Sequence, residues 1–331
     1  MNNAVKKAFS KNSITIYIVV IFYAVISGLI YSGNASRQLS NMIISISCYI
    51  VMAVSLNLVV GVLGELSLGH AGFMSVGLFS GCLFSIATAD TLPLILRLPL
   101  SMIIGGLFAA AVGLVVGLPA LRLRGDYLAI VTLACGEIIK NVITNLKITG
   151  GALGLNTSSI YSDAATLLPY AIVIVLLTII VLMNFIRSKY GRAITAIRDN
   201  RIAAESTGVN VTYYKLLVFV FAAFFAGAAG VLYGHSLANI KPVTFDYNMS
   251  IEILVIVVLG GMGSIRGSII AAIILRALPE VLRDFNDYRM LIYSILLIVI
   301  MIFNANPKMQ SYKNRLFRKK KIIAEGENNN G

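Results

Sequence analysis

The most informative feature of this sequence is its shortage of charge. Only 12% of its 331 residues are charged, 58% are hydrophobic and the mean hydropathy is +0.87. Soluble domains carry about 25% charged residues. A chain with so few charged groups cannot fold as a water-soluble globule, and the composition therefore indicates a polytopic membrane protein.

Cysteine and histidine are also scarce, which argues against a metal centre or a hydrolytic enzyme. The three cysteines, Cys48, Cys82 and Cys135, fall singly inside apolar runs, without the Cys-x-x-Cys spacing of a metal or redox pair. With two histidines, His70 and His235, the chain offers no Ser-His-Asp, zinc or paired-carboxylate arrangement. We therefore expect no catalytic residue, no bound metal and no cofactor on this chain.

Two further absences narrow the class of protein. Gly-Lys occurs nowhere in the chain, so the glycine-rich stretch at residues 149–154 lacks the Gly-Lys-Ser/Thr of a nucleotide-binding P-loop. The net charge of +13 lies in short loops and tails beside apolar runs, with no basic face interleaved with aromatic residues. The chain is therefore expected to have no ATPase site and to bind no nucleic acid, and its charge is typical of membrane topology.

Apolar runs predict an all-α protein with about 8 to 10 transmembrane helices, some of them broken or re-entrant. The first run is too long for the apolar region of a signal peptide, which spans about 7 to 15 residues, so it is expected to be an uncleaved span. The glycine cluster at residues 259–267 divides residues 251–278 into two short apolar pieces of about 9 and 10 residues, which predicts a broken element there. If both apolar pieces of this element cross the membrane, the spans number ten. The predicted full spans are residues 14–32, 38–64, 66–89, 98–121, 127–146, 164–186, 216–240 and the run ending at Phe303.

Basic residues set the expected orientation, because loops rich in Lys and Arg stay in the cytoplasm. Lysines precede the first span and basic residues fill the end of the chain, so we expect a cytoplasmic N-terminal tail at residues 1–13 and a basic cytoplasmic C-terminal tail at residues 305–331. The transmembrane domain would occupy residues 14–304. Residues 276–289 carry three bases and three acids and are expected to lie outside as a neutral segment.

One polar stretch, residues 187–215, interrupts the apolar sequence and is expected to face the cytosol. It holds six basic residues against two acids. Its apolar residues only partly follow one helical stripe, which predicts two short helices meeting near Asp199 and Asn200. Such a helix can dock its apolar stripe into the groove of a partner, with charged flanks fixing the register. The alternative is a solvated connector whose charges set topology alone.

Within this stretch, Ala203-Ala204 followed three residues later by Gly208 resembles the Ala-Ala-x-x-x-Gly core of the coupling loop in ABC importer permeases. The usual leading Glu of that loop is Ile202 here. The wider string AIRDNRIAAESTGVNVTYYKLLVFVFAAFFAGAAG resembles the branched-chain amino acid permease family. NLVVGVLGELSLGHAGFMSVGLFSG resembles the amino-terminal signature of that family, specifically of the longer of its two permease subunits, and LGGMGSIRG resembles its carboxy-terminal glycine signature. The resemblance implies coupling to an ATPase through Arg198, Asp199, Ala203, Ala204, Glu205 and Gly208.

Charged and glycine-rich positions inside the apolar runs are candidates for a translocation path or gate. Ionisable groups at membrane depth are costly and usually face a cavity or a partner, and irregular backbone survives there under the same conditions. These candidates are Glu65, Ser67, His70, Gly72, Glu137, Gly260, Gly261 and Gly263. In the structural alternative, Glu65 caps the next helix and His70 bonds a backbone carbonyl. Glu137 can likewise pair with Lys140 or Asn141 on one helical face, and the glycines can form a plain loop.

The family resemblance also implies partners and a substrate. These are two ATP-binding cassette subunits that bind ATP and Mg, a second homologous permease subunit and an external substrate-binding protein, all at a bacterial plasma (inner) membrane. Leucine, isoleucine or valine would be the substrate, with urea or short amides as the alternative. The competing class is a stand-alone ion-coupled secondary transporter in which Glu65, His70 and Glu137 form an ion path. A receptor or scaffold has no recognisable signalling domain to support it.

Overall fold

The computed structural model describes residues 37–123 and 125–282, together with isolated positions between residues 19 and 28 and between residues 288 and 302. Helices account for most of the described chain, which confirms the predicted all-α class. The predicted first and last spans and both predicted tails lie outside the continuously described residues.

The chain divides into two compact units, Met1–Arg276 and Ala277–Gly331. Residues 277–281 of the second unit are the last residues of α10. An antiparallel pair of two-residue strands, β1 (Leu155–Asn156) and β2 (Asn239–Ile240), joins two loops. The helices of the described chain are α1 (Arg37–Asn57), α2 (His70–Ala87), α3 (Leu94–Ala120), α4 (Asp126–Asn145), α5 (Ala164–Arg187), α6 (Lys189–Asp199), α7 (Arg201–Ser206), α8 (Val211–His235), α9 (Tyr247–Gly260) and α10 (Ile265–Val281).

Seven helical segments of the described chain are long and apolar enough to cross a membrane, by length and composition. Six coincide with predicted full spans, which confirms a polytopic membrane protein. The seventh begins in a loop predicted to be external and runs into the first piece of the predicted broken element. The seven are Ser40–Leu63, His70–Ala87, Leu94–Ala120, Asp126–Asn145, Ala164–Arg187, Val211–His235 and Pro242–Gly260.

Small residues bring α2, α3 and α8 into close contact. A Cβ on Gly77 of α2 would lie 2.1 Å from the Cα of Gly227 on α8, and a Cβ on Gly105 of α3 would lie 2.5 Å from the carbonyl oxygen of Gly77. Helices in a membrane gain no hydrophobic free energy from meeting each other and associate through close van der Waals packing of this kind. These glycines therefore build the scaffold that holds the more polar segments in place.

The chain breaks between α9 and α10 at the predicted glycines, but the two helices are longer than the predicted pieces. They contain 14 and 17 residues. The extra residues of α9 are Tyr247 to Ser250, and before them the Asp246 side chain accepts a 3.1 Å hydrogen bond from the Met249 amide and caps the helix. Gly261 and Gly263 have φ of 90° and 81°, a conformation that glycine alone adopts readily. The ten-span alternative requires both pieces to cross, and Pro242–Gly260 is one candidate span.

The two loops predicted to be external meet at one end of the bundle. Leu155 pairs with Ile240 across the two short strands. The Thr157 amide donates to the Ala238 carbonyl at 3.0 Å, and the Ser162 amide donates to the His235 carbonyl at 3.0 Å. The two loops that are poor in basic residues thus share one end, as the predicted topology requires.

Candidate functional site

The polar stretch at residues 187–215, called the coupling segment below, folds into two short helices as predicted. Helix α6 ends at Asp199, and the Asn200 side chain accepts a 3.0 Å hydrogen bond from the Ala203 amide to cap α7. Asn210 caps α8 in the same way, with 3.1 Å to the Tyr213 amide. Side-chain caps satisfy backbone donors that the first helical turn leaves unpaired. Two asparagines therefore fix both corners of the segment.

A small apolar core folds the coupling segment onto the start of α8. Ile197, Ala204 and Val211, one from each of α6, α7 and α8, are buried together, and Val209 and Tyr214 pack against them. Of the six residues predicted to couple to an ATPase, Ala204 is thus an internal packing residue. The other five are exposed: Arg198, Asp199, Ala203, Glu205 and Gly208.

The exposed surface of the coupling segment carries an apolar side chain between charged ones. Ile202, which stands where the family's loop usually has Glu, is 80% exposed. Arg201 and Glu205 form an ion pair beside it at 2.9 Å, and Arg198 pairs with Asp199 at 3.1 Å. An exposed isoleucine in a charged frame has the features of a surface that docks into a groove.

Gly208 ends α7 in a left-handed turn. Its φ is 84°, and no other atom lies within 4 Å of the position that a Cβ would take. Its amide donates to the Glu205 carbonyl at 3.0 Å. Glycine is therefore required here for backbone conformation rather than for space, as at many helix C-termini.

The last turn of α1 widens into a π-helical turn, Leu58–Leu63, and the coupling segment touches it. The Arg198 guanidinium donates to the Gly61 carbonyl at 3.3 Å. A Cβ on Gly64 would come within 2.8 Å of Arg198 Cγ, so the arginine stem lies directly against the backbone at that position. π-Helical turns are rare and occur frequently at functional sites.

The same π-helical turn meets the glycine break between α9 and α10 on its other side. Asn57 Oδ1 accepts a 2.7 Å hydrogen bond from the Gly263 amide, and Asn57 Nδ2 donates to Ser268 Oγ at 3.0 Å. A Cβ on Gly61 would lie 2.1 Å from the Gly263 nitrogen, and one on Gly260 would lie 2.5 Å from the carbonyl carbon of Gly267. The structure thus joins the coupling segment to the predicted gate glycines through the π-helical turn and Asn57, and sequence reasoning missed Asn57. The feature of the sequence that could have pointed to Asn57 is an amide side chain inside an apolar run.

Glu65 and Ser67 lie in the irregular stretch between α1 and α2. Glu65 forms a salt bridge with Lys215 of α8, and the Lys215 side chain is 4% exposed. The expectation that Glu65 caps α2 is therefore wrong, because Lys215 draws the carboxylate to α8. Glu65 Oε2 and Ser67 Oγ are buried and have no hydrogen-bond partner among the described residues.

His70 and Gly72 lie at the start of α2, where two other helices approach. His70 is buried and its Nε2 bonds Ser55 Oγ of α1 at 2.9 Å, so the expectation of a bond to a backbone carbonyl is wrong. A Cβ on Gly72 would lie 3.0 Å from the Cα of Gly136 on α4. Gly72 and Gly136 therefore allow α2 and α4 to approach closely.

Glu137 pairs with Lys140 on one face of α4, as one of the alternatives predicted. Its other carboxylate oxygen accepts a 2.9 Å hydrogen bond from the Tyr247 amide at the start of α9. Helix α9 begins beside the middle of α2, because Phe245, two residues before α9, contacts Phe79 of α2 with 6.3 Å between ring centroids. Glu137 therefore ties α4 to the first turn of the broken element, and a carboxylate is favourable at a helix N-terminus.

Helix α4 is the least buried of the seven candidate spans. In the span of α4, 22% of the residues are buried inside the protein, compared with 94% in the span that contains most of α1. Asn141 and Asn145 are nevertheless exposed on it, on the same face as the exposed apolar side chains of Ile138, Val142 and Leu146. Amides are poorly suited to lipid because their hydrogen bonds stay unsatisfied there. This face therefore requires water or another protein.

A further polar cluster, missed by sequence reasoning, joins α1, α9 and α10. The Arg276 guanidinium donates to Glu252 Oε1 at 3.3 Å and to Ser45 Oγ at 2.9 Å, and its carbon lies 4.0 Å from the centre of the Tyr49 ring. The Tyr49 hydroxyl donates to Glu252 Oε2 at 3.2 Å. Arg276, the first residue of the segment expected to lie outside, belongs to α10.

Comparison with known proteins gives one family and relatives from more than one transport class. The family described as branched-chain amino acid transport system / permease component matches residues 38–303. The chain is 35% identical over 314 residues to the high-affinity branched-chain amino acid transport system permease protein LivM of Escherichia coli (strain K12), covering 84% of this chain and 71% of that protein. Identity to the protein of the same name from Salmonella typhimurium is 37% with the same coverage. The ribose import permease protein RbsC of Haemophilus influenzae is 24% identical over 300 residues, covering 87% of this chain and 91% of that protein. No solved structure matches the chain.

Proposed function

Because this chain belongs to the branched-chain amino acid permease family, we propose that it is the longer permease subunit of an ABC importer for leucine, isoleucine and valine. Two ATP-binding cassette subunits would bind ATP and Mg, a second permease subunit would complete the passage, and an external binding protein would deliver the substrate. The chain would lie in the plasma (inner) membrane of a bacterium with both termini in the cytoplasm. The observation that carries the proposal is the contact of the coupling segment with the glycine break through the π-helical turn of α1.

The exposed surface of the coupling segment supports a docking role. Ile202 would enter an apolar groove of the ATPase subunit, and the flanking pairs Arg198–Asp199 and Arg201–Glu205 would set the register. The buried core of Ile197, Ala204 and Val211 holds this surface rigidly on α8. A force on α7 would therefore be carried into the membrane domain rather than absorbed by a flexible loop.

The π-helical turn offers the route by which this force reaches the gate. Arg198 holds the Gly61 carbonyl, and Asn57 holds the Gly263 amide. A shift of the coupling segment on ATP binding would move the turn and the glycine break together. Such a shift performs work only if ATP-bound partners favour one of two arrangements of these contacts, because a ligand moves an equilibrium by its differential affinity.

The polar face of α4 supports a second permease subunit as partner. Asn141 and Asn145 would face the other subunit across the passage, and Ile138, Val142 and Leu146 would give that passage an apolar wall. An apolar wall with a few amides binds weakly, which suits a passage whose selectivity comes from an external protein. Urea or short amides remain the alternative substrates within the family, and uptake assays separate them from leucine.

The structure disfavours a stand-alone ion-coupled carrier. Glu65 pairs with Lys215, His70 bonds Ser55, and Glu137 pairs with Lys140. Each of the three ionisable groups that such a carrier would need is thus bonded to a different partner. A proton or ion path requires these groups to communicate, and their contacts with separate helices do not provide it.

A pull-down from native membrane in mild detergent tests the proposal. The tagged chain should co-purify with a P-loop ATPase and a second permease, and ATP hydrolysis by the complex should rise when the binding protein and leucine are added. A matched Ala203→Arg chain should insert into the membrane but recover less ATPase subunit. A single ATP-inert chain that transports when reconstituted alone would overturn the importer and favour the secondary carrier.

A further inference from the structure

The Glu252–Arg276 pair is more open than the other interhelical salt bridge of the described chain. Its two side chains are 31% and 27% exposed, whereas Glu65 and Lys215 are 15% and 4% exposed. Water can therefore reach both charged groups of this pair, in contrast to the sealed Glu65–Lys215 pair. The openness of Glu252–Arg276 indicates that another molecule can reach both charges.

The cluster lies within the helical bundle rather than in a loop. Tyr49 is buried within α1 and lies eight residues before Asn57, which is about 12 Å along a helix. Glu252 lies in the second turn of α9, and Arg276 reaches from α10 to both neighbours. Charged residues inside a membrane domain are costly and are usually kept for a functional reason.

We propose that Glu252, Arg276 and Tyr49 form a binding site for zwitterionic α-amino acids on the translocation route. This inference rests on the proposed import of amino acids, and it specifies how the transmembrane part recognises them. The carboxylate of the substrate would bind the Arg276 guanidinium, and its ammonium group would bind the Glu252 carboxylate. The two groups of an amino acid are joined through one carbon, so neighbouring charges of opposite sign match them.

The empty site avoids unpaired charge by closing on itself. In the structure Arg276 Nη1 and Glu252 Oε1 are 3.3 Å apart, and Tyr49 and Ser45 hold the two side chains in place. When an amino acid enters, each residue exchanges its partner for the oppositely charged group of the substrate. Neither charge is left buried and unpaired in either state, and removal of one partner from such a pair is what makes burial costly. Because the Glu252–Arg276 pair is lost when the two pairs with the substrate form, binding is weak and reversible, as a transport passage needs.

The chemistry of this site also separates substrate classes. A zwitterion satisfies both residues, whereas ribose and urea carry no charge and would leave the Glu252–Arg276 pair closed. Compounds with one charge, such as leucinamide or 4-methylpentanoate, would satisfy one residue and strand the other. The site therefore selects for the α-amino acid group and leaves the side chain to the apolar wall.

Thiol labelling tests the site directly. Ser45 touches Arg276 and is half-buried, so Ser45→Cys in a Cys135→Ser background places a reactive thiol beside the pair, while Cys48 and Cys82 are buried. The complete transporter in membrane vesicles, without the external binding protein, is treated with a small water-soluble thiol reagent. Leucine should slow the labelling, and leucinamide, 4-methylpentanoate and ribose should not. Equal labelling with and without leucine, or no labelling at all, would overturn the site.

Charge exchange separates binding from stapling. Glu252→Gln and Arg276→Gln should each lower leucine uptake by more than about tenfold, because each substitution leaves the remaining charged residue without its partner. Glu252→Arg combined with Arg276→Glu restores an ion pair but should not restore uptake, since the substrate would meet its charges in the wrong order. Recovery of uptake in the exchanged pair would show that the pair is only structural. Ser80→Ala serves as the control, because the Ser80 hydroxyl bonds carbonyls of its own helix.

The two proposals fail in different ways. Leucine uptake by the unmodified transporter with unchanged Ser45→Cys labelling would overturn the site alone. Absence of amino acid uptake by the unmodified transporter would overturn the proposed function, and the site with it.

Discussion

Asn57 Oδ1 accepts a 2.7 Å hydrogen bond from the amide of Gly263, 206 positions further along the chain. The bond joins the end of α1 to the break between α9 and α10, and Asn57 also holds Ser268 on the first turns of α10. Arg198 contacts the same π-helical turn from the coupling segment. The three contacts connect a surface outside the bundle with the glycine break inside it, and they define the first prediction.

Asn57→Ala should uncouple ATP hydrolysis from transport. The change removes both bonds to the glycine break, each worth about 0.5–1.5 kcal/mol, and leaves the Arg198 contact in place. The ATPase subunits should therefore still bind, while leucine uptake per ATP hydrolysed falls by about tenfold or more for a loss of 1.4 kcal/mol or more. Uptake and hydrolysis measured on the same proteoliposomes give the ratio, and Ser80→Ala is the control. An unchanged ratio in Asn57→Ala would refute the transmission route.

Gly61→Ala should be among the most damaging single-methyl changes in the chain. The new Cβ would lie 1.9 Å from Asn57 Oδ1 and 2.1 Å from the Gly263 nitrogen. Backbone cannot yield as a flexible side chain does, so the π-helical turn must move away from the glycine break, at a cost of about 1–3 kcal/mol or more for overpacking. Gly28→Ala is the matched control, because nothing lies within 4 Å of its Cβ position. Uptake and the amount of protein in the membrane should fall for Gly61→Ala and stay unchanged for Gly28→Ala. Equal activity of the two variants would contradict the close approach of Gly61 to Gly263.

Ala203→Arg should abolish uptake while the protein still inserts, because Ala203 is exposed beside Ile202 and a long charged side chain would block docking. Ser80→Ala is the control and should retain uptake, because the Ser80 hydroxyl bonds carbonyls of its own helix, away from α7. Co-purification of the ATPase subunit with each variant provides the measurement. Loss of the ATPase from both variants, or from neither, would show that α7 is not the docking surface.

Lys215→Met should destabilise the protein through Glu65. The lysine is 4% exposed and pairs with Glu65, so its removal leaves a buried carboxylate without a counter-charge. Breaking such a pair costs roughly 3–5 kcal/mol, whereas replacing both partners can be nearly neutral. Thermal unfolding in detergent should show a large loss for Lys215→Met that is mostly recovered when Glu65→Gln is added. If the double variant were no more stable than the single one, the pair would not be the source of the loss.

Local pattern predicted the elements of this protein, and distant contacts decided its candidate site. The apolar runs marked six of the seven candidate spans, and Asn200 marked the corner of the coupling segment because capping acts within a few residues. The bonds Asn57–Gly263 and Glu65–Lys215 span 206 and 150 positions, and no local periodicity encodes them. The π-helical turn is hidden for another reason, since LVVGVL reads as ordinary apolar helix.

The polar face of α4 leads to the last prediction. Asn145→Cys, in a Cys135→Ser background, should form a crosslink with the second permease subunit, because the exposed amides of α4 need a protein or aqueous neighbour rather than lipid. Val173→Cys on α5 is the control: Val173 is 60% exposed, but the exposed residues around it are apolar and suit lipid. A short reagent with a thiol-reactive group at one end and a photoreactive group at the other is attached to the new cysteine of the assembled transporter and illuminated; electrophoresis should show a larger product with Asn145→Cys and none with Val173→Cys. If the crosslink formed through α5 instead, the passage would lie on the opposite face of the chain, and Ile138, Val142 and Leu146 would be lipid-facing residues.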